Sequence, residues 1–209
     1  MKKTLEEHAA RFSERAAAYD DDPSPEYLAC CDLVVEHAAP TPEDVVLDLG
    51  TGTGAIALAL APRAKRVIGR DISEGMLERA AEKARERGIE TVEFGYGEFR
   101  DPHVDGEVDV VTSNFALHHL SDEEKREAVE VIAALGPRRL VLGDVMFFGE
   151  ADSDEPFYSP EVDDPATVGT LADIFTDCGF ALTAVERVHD QVGVLVGERA
   201  GTRDAPLEE

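Results

Sequence analysis

Three glycines set two apart, Gly50, Gly52 and Gly54, break an otherwise apolar stretch at residues 45–58, VVLDLGTGTGAIAL, and nothing else in the chain restricts its folding as tightly. A short run of Val45, Val46, Leu47 and Leu49, interrupted only by Asp48, predicts a strand. The glycines predict a tight turn, and the run from Ala55 predicts a helix. Glycine admits positive φ and lets backbone approach a ligand closely, and the N–H groups of a helix start can face that ligand. A nucleotide-type cradle is the expectation. Two templates fit it, because residues 50–55 also satisfy the G-x-G-x-x-G/A dinucleotide pattern, with an acid, Asp71, 21 residues beyond Gly50. Asp48 separates them: a carboxylate two residues before the first glycine does nothing for a pyrophosphate, whereas it suits an ammonium or a sulfonium.

The pattern D-L-G-T-G-T-G at 48–54 resembles the first motif of class I S-adenosylmethionine-dependent methyltransferases. That resemblance implies S-adenosylmethionine as donor, S-adenosylhomocysteine as product, and contacts from Asp48, Gly50, Thr51 and Gly52. It also implies that Asp71 accepts the ribose hydroxyls and that Ile72 and Met76 pack on the adenine. Gly97-Glu98-Phe99 stands where the family often has Gly-Asp-Ala, so Glu98 would meet the adenine amino group and Phe99 its face. Residues 12–20, FSERAAAYD, resemble an N-terminal segment that folds over the cofactor, placing Tyr19 at its methionyl end. Equally, Phe12 and Tyr19 can simply staple their helix to the core.

The rest of the chain sets the architecture. Apolar spacing predicts helices over 4–19 and over 25–38, the second with Ser24 as N-cap and burying Tyr27, Leu28, Leu33 and Val34 or Val35. After the glycine turn come a strand at 66–70, a helix at 73–87, strands at 91–94 and 108–113, a helix at 121–135 opened by a capping box, and a strand at 138–143. Such alternation means parallel βαβ units. A helix at 165–178 and two closely spaced strands, 181–188 and 192–199, then form a hairpin. The expected fold is α/β: a Rossmann-like, doubly wound, mostly parallel seven-stranded sheet with a C-terminal antiparallel hairpin strand, for which the resemblance implies the order 3-2-1-4-5-7-6. One methyltransferase domain should occupy 1–200, its helices in 1–38 covering the cofactor, with a polar tail at 201–209.

The fourth strand runs into residues 112–120, TSNFALHHL, which match the family segment beside the methyl donor and put Asn114 among the cofactor contacts. The N-P-P-Y/F sequence of amino-group enzymes acting on bases or glutamine is absent, as is the Pro-Cys of cytosine enzymes. A sulfonium is already an activated electrophile, so alignment matters most. His118 or His119 can serve as a base, or one can pack under the sheet edge while the other bonds to backbone. Adjacent histidines without partners are poor metal ligands, so no metal is expected. Asp144, Phe147, Phe148 and Tyr158 could form the acceptor pocket, or the core of a lid over 145–164.

Charge bears on partners. The 45 Asp and Glu against 20 Lys and Arg give −25, and only five of the basic residues are lysines, a bias that resembles haloarchaeal proteins and suits a salty interior. No basic stripe marks a nucleic-acid face, and no apolar run approaches membrane-spanning length, so a cytoplasmic enzyme acting on a small-molecule acceptor is expected, its oligomeric state open. Cys30, Cys31 and Cys178 read as reduced, buried thiols. Two rivals remain, an NAD(P)-dependent oxidoreductase, disfavoured by Asp48 and the hairpin, and a non-catalytic adaptor on the same fold.

Overall fold

The computed structural model describes residues 4–149 and 157–199. The polar tail expected at 201–209 and the middle of the 145–164 segment, residues 150–156, lie outside them. In chain order the elements are α1 (Leu5–Arg15), α2 (Pro25–Ala38), β1 (Val45–Leu49), α3 (Ala55–Leu60), β2 (Arg66–Asp71), α4 (Glu74–Glu86), β3 (Val92–Tyr96), β4 (Val110–Asn114), α5 (Asp122–Ala134), β5 (Arg139–Val145), α6 (Val168–Asp177), β6 (Phe180–His189) and β7 (Val192–Arg199). Among the described residues no helix is long and apolar enough to cross a membrane.

The strands form one sheet in the order β3-β2-β1-β4-β5-β7-β6, as expected, with β1 to β5 parallel and β7 antiparallel to both β5 and β6. Successive residues of each central strand feed opposite faces. Leu47, Ile68, Val111 and Leu142 join a core with Ile132, Leu171 and Phe175 of α5 and α6, while Val46, Val67, Val110 and Val141 join a second core with Val34 of α2 and Ile56 and Leu60 of α3. Burial on both faces is why these strands carry consecutive β-branched and leucine residues, as at 45–47, 67–68, 110–111 and 140–142.

Local signals explain the boundaries. Thr4 and Glu7 close a capping box at α1, and Ser121 and Glu124 another at α5, so these helices start where side chains satisfy their first N–H groups. Helix α6 begins three residues later than expected: Thr167, not the region of Pro165, supplies the N-cap, accepting from the Thr170 N–H. Helix α2 has the expected limits, yet its buried stripe is Cys30, Val34 and Ala38, and Leu28 is 49% exposed. The helix was read one register off, because cysteine at 30 behaves as a small apolar core residue. Of the three free thiols only Cys30 is buried; Cys31 and Cys178 are partly exposed.

Everything the sheet presents to a ligand converges at the carboxyl ends of β1, β2, β3 and β4. Helix α1 lies across that edge beside α4, tied to it where the Ser13 and Ser73 hydroxyls meet at 2.9 Å. Helix α2 instead packs flat on β4, β5 and β7. Helix α1 thus lies over the edge, and α2 reaches the cavity there through Tyr27.

Candidate functional site

The turn after β1 has the backbone the glycines allow, with φ of 65°, 52° and 82° at Gly50, Gly52 and Gly54. Gly50 is also fixed sterically, since a Cβ there would collide with the Cβ of Ala116. The row of open N–H groups expected from this turn is largely spent inside it. Thr51 N donates to Arg70 O at 3.0 Å, Gly54 N to Thr51 O at 2.8 Å, and Gly52 N to Asp71 Oδ2 at 2.8 Å. A pyrophosphate would find these donors engaged. The turn therefore presents carboxylates to a ligand.

Asp48, 1% exposed, is held between two hydroxyls, Thr51 Oγ1 donating to one oxygen at 2.6 Å and Thr112 Oγ1 to the other at 2.8 Å. Burial pushes its carboxyl up to about 6 in spite of those bonds, with Asp71 adding to the rise. Asp71 is likewise raised by burial, partly offset by N–H donors from Ser73 at 2.9 Å and Gly52. Two neighbouring acids, Asp48 buried and Asp71 half-buried, both oxygens of each already braced, are costly unless something cationic or rich in donors joins them.

That something has room. A cavity of about 360 Å³ is lined by Asp48 from the end of β1, Gly50, Thr51 and Gly52 from the turn, Asp71, Ile72 and Met76 from the end of β2 and the start of α4, Glu98 and Phe99 after β3, and Asn114 at the end of β4. Tyr19, Phe12 and His8 close it from the α1 side. Every cofactor-binding residue expected from the sequence thus lies on one cavity. Glu98 also accepts from the Tyr96 hydroxyl at 2.6 Å. Asn114 Nδ2 donates to Cys31 Sγ at 3.1 Å, and its buried Oδ1 has no partner among the described residues. Burial raises the Tyr19 hydroxyl, with Asp71 the largest charge acting on it. The lining fits S-adenosylmethionine: acceptors for hydroxyls and amino groups, carboxylates for a cation, apolar surface for a base, and open space where a Gly52 side chain would stand.

The loop after β4 turns through Phe115 at φ 53° and carries His118 and His119 into a second cavity of about 520 Å³. The two cavities share Phe12, Tyr19, Phe115 and His119. Both histidine rings are partnered by carboxylates rather than by backbone. His118 is buried with Nδ1 2.5 Å from Asp144 Oδ1, and His119 Nδ1 is 2.7 Å from Asp163 Oδ1. Burial lowers the His119 imidazole below its ordinary value, with Asp163 opposing. The adjacent histidines are therefore not partnerless: His118, His119 and Asp163 bring ligand-capable atoms within 4.8 Å of one another. Arg11 and Arg15 line the same cavity and oppose a dication there.

The acceptor-pocket expectation needs correction. Asp144 lies against His118, Phe148 packs into the core of the α5–α6 face, and Phe147 meets Tyr158 edge-on at 5.6 Å; from this segment it is Tyr158 and Phe157 whose rings reach the second cavity. The segment carrying them is stitched to the histidine loop by Asp164 N donating to His118 O at 2.7 Å and by the buried Lys125, whose Nζ donates to Leu120 O at 2.7 Å and to Asp164 O. Asp163, Lys125 and the two arginines of α1 were missed in the sequence, since only the fold brings them together.

Comparison with known proteins agrees with this geometry. Residues 46–136 match the model of a methyltransferase domain family. An uncharacterized methyltransferase of Bacillus velezensis is 33% identical over 151 residues, 65% of this chain and 69% of the relative. The uncharacterized methyltransferase YcgJ of Bacillus subtilis is 35% identical over 133 residues, 62% of this chain; the chain spans about half of that relative, 53%. The YcgJ crystal structure superposes with a TM-score of 0.66, covering 77% of this chain and 71% of that one at 26% identity. Magnesium protoporphyrin IX methyltransferase from Synechocystis PCC 6803, solved with bound S-adenosylmethionine, shares the fold, with a TM-score of 0.63 over 83% of this chain and 78% of that one at 23% identity.

Proposed function

The chain belongs to the class I S-adenosylmethionine-dependent methyltransferases, and from that premise we propose that it methylates a small-molecule acceptor seated in the second cavity, against His119. Bound on the acidic side, S-adenosylmethionine supplies a methyl group on a sulfonium, an electrophile that needs no further activation. The observation that carries the reading is the meeting of two cavities of different character at Phe12, Tyr19, Phe115 and His119, one lined by carboxylates and one by aromatic rings.

The protein's own groups then have separable tasks. Asp48 and Asp71 hold the cationic and ribose ends of the donor, Ile72, Met76 and Phe99 hold its base, and Tyr19 with Phe12 keeps water from the junction. The Nδ1 of His119 is committed to Asp163, so in the neutral ring the proton sits on Nδ1 and Nε2 is the acceptor. A neutral imidazole at neutral pH is the state that burial favours, and it can take the proton a hydroxyl or amine acceptor gives up. His118, held by Asp144, supports the loop. No metal is needed for these steps, and we assign none.

Size and charge both favour a small acceptor. Cavities of several hundred Å³ suit small molecules, Helix α1 covers the edge against a duplex, and a charge of −25 disfavours phosphate backbones at ordinary salt. The test supplies labelled donor with a metabolite extract and, separately, with total nucleic acid and total protein. Label in the metabolite fraction alone is expected, and label confined to macromolecules would overturn the reading.

A further inference from the structure

The second cavity has a feature its surroundings do not explain. Arg11 and Arg15 stand one helical turn apart on α1, so both guanidiniums face the same side, and both line this cavity with Phe12, Phe157 and Tyr158. In a chain where acids outnumber bases 45 to 20, many other arginines find carboxylates, as Arg66 and Arg70 share Glu93, Arg138 takes Asp44 and Arg139 takes Glu198, while Arg63, Arg85 and Arg87, without such a pair among the described residues, stand exposed to water. Among the described residues Arg11 and Arg15 have none. Arg11 lies over the Phe12 ring at 5.7 Å, and its Nη1 is buried without a hydrogen-bond partner. A buried guanidinium nitrogen left unbonded is costly, and a site built to bond an anion leaves it so when empty.

The acid of the cavity cannot serve as that partner. Asp163 gives one oxygen to His119 and the other to the Ser159 N–H at 2.7 Å, and its side chain is 5% exposed. The remaining lining is aromatic, with Phe12 and His119 rings 5.4 Å apart. Two unpaired cations and flat apolar walls, beside a histidine that can accept a proton, describe a site for a specific kind of molecule.

We propose that the acceptor carries a carboxylate on a planar, largely apolar body, the carboxylate held by Arg11 and Arg15 and the body among Phe12, Phe157 and Tyr158. This rests on the reading of the second cavity as the acceptor site, and it narrows that reading to acidic aromatic compounds. The anion fixes which end of the molecule faces α1, and so which atom is turned toward His119 and the methyl group. It also gives the acidic protein a local field that draws in, rather than repels, a negatively charged substrate.

The test uses benzoate and its uncharged isostere benzamide, titrated into the full-length protein with and without saturating S-adenosylhomocysteine at one fixed ionic strength. Benzoate is expected to bind at least tenfold more tightly than benzamide, since a charge-assisted bond to each guanidinium distinguishes them. The double variant Arg11→Gln, Arg15→Gln should lose that preference while keeping its affinity for S-adenosylhomocysteine. Equal affinity for the two probes, no benzoate binding, or a preference that survives in the double variant overturns the proposal. Should the double variant not fold, Arg15→Gln alone, at an exposed position, must reduce the preference, and an unchanged value overturns it equally. Failure of S-adenosylhomocysteine to bind strikes instead at the methyltransferase reading, and the titrations without it keep the two outcomes apart.

Discussion

Asp144 holds His118 twice, one carboxylate oxygen 2.5 Å from the ring Nδ1 and the other accepting the backbone N–H of the same residue at 2.9 Å. A side chain fixed by ring and backbone together is suited to shaping a loop. Its neighbour His119, whose only carboxylate partner among the described residues is Asp163 at Nδ1, lines both cavities and is the residue to which the proposal gives the task at the methyl-transfer junction.

His119→Gln should therefore lower kcat by about 10²- to 10⁴-fold, the range of a positioned base, with donor affinity little changed. Because burial holds the imidazole below its ordinary value, the wild-type rate should rise with pH through a midpoint under that of free histidine, 6.5, and be level above it. Asp163 acts through His119 and raises its basicity, so Asp163→Asn should move that midpoint lower still as well as reduce kcat. Stopped assays from acid to neutral pH check both. A midpoint unmoved in Asp163→Asn would remove Asp163 from the mechanism, and full activity in His119→Gln would remove the base.

Asp71→Ala should weaken S-adenosylhomocysteine binding at least tenfold, because two hydroxyl bonds to a charged acceptor contribute about 1.5 to 3 kcal/mol each. The same carboxylate anchors Gly52 N–H and Ser73 N–H, so the variant should also melt lower. Calorimetric titration of the folded variant decides it, and an unchanged dissociation constant would refute the ribose role.

Much of this site was readable from the sequence because its donor half is local. Asp48, the three glycines and Asp71 lie within one strand–turn–helix–strand unit, where spacing dictates position; the alternation of strands and helices pointed to parallel βαβ units, and the family resemblance supplied the sheet order. The acceptor half is built differently. His119 meets Asp163 across 44 residues, and Arg11 lines a cavity with Tyr158 across a still longer interval; no periodicity links such pairs. Leu28 was misplaced for a related reason: hydrophobicity names a residue suited to the core, and only packing decides that Cys30 takes the place. Asp144 was found, but its role was mistaken, since the sequence shows that a strand ends there and not what lies above it.

The surplus of acids leads to a prediction about salt. Screening length falls from about 30 Å at 0.01 M to about 3 Å at 1 M, which removes most repulsion between surface carboxylates while leaving contact pairs such as Arg138 with Asp44, at 2.8 Å, largely intact. The melting temperature should climb from low to molar KCl. A flat or falling value would make the charge of −25 incidental to the conditions the protein is built for.

Asp48 should show stability exchanged for function. Its folded pKa, about 6, lies above the ordinary value of 3.8, so the group favours folding in its protonated form. That contribution is complete below 3.8 and is lost as the pH rises through about 6, which means that near neutrality the free protein carries a buried charge at a cost of about 3 kcal/mol. Asn in the same place can still bond the Thr51 and Thr112 hydroxyls without that charge. Asp48→Asn should therefore raise the melting temperature of the free protein at neutral pH, with the gain shrinking toward pH 5, and at the same time weaken S-adenosylmethionine binding. The donor's positive charge favours ionised Asp48, so wild-type affinity should itself fall as the pH drops through about 6, and the variant should lack this dependence. Thermal melts and titrations across that range measure both halves. A variant that binds the donor as well as the wild type would show that Asp48 merely braces the turn, and one that melts lower would show that its charge is already compensated in the free protein.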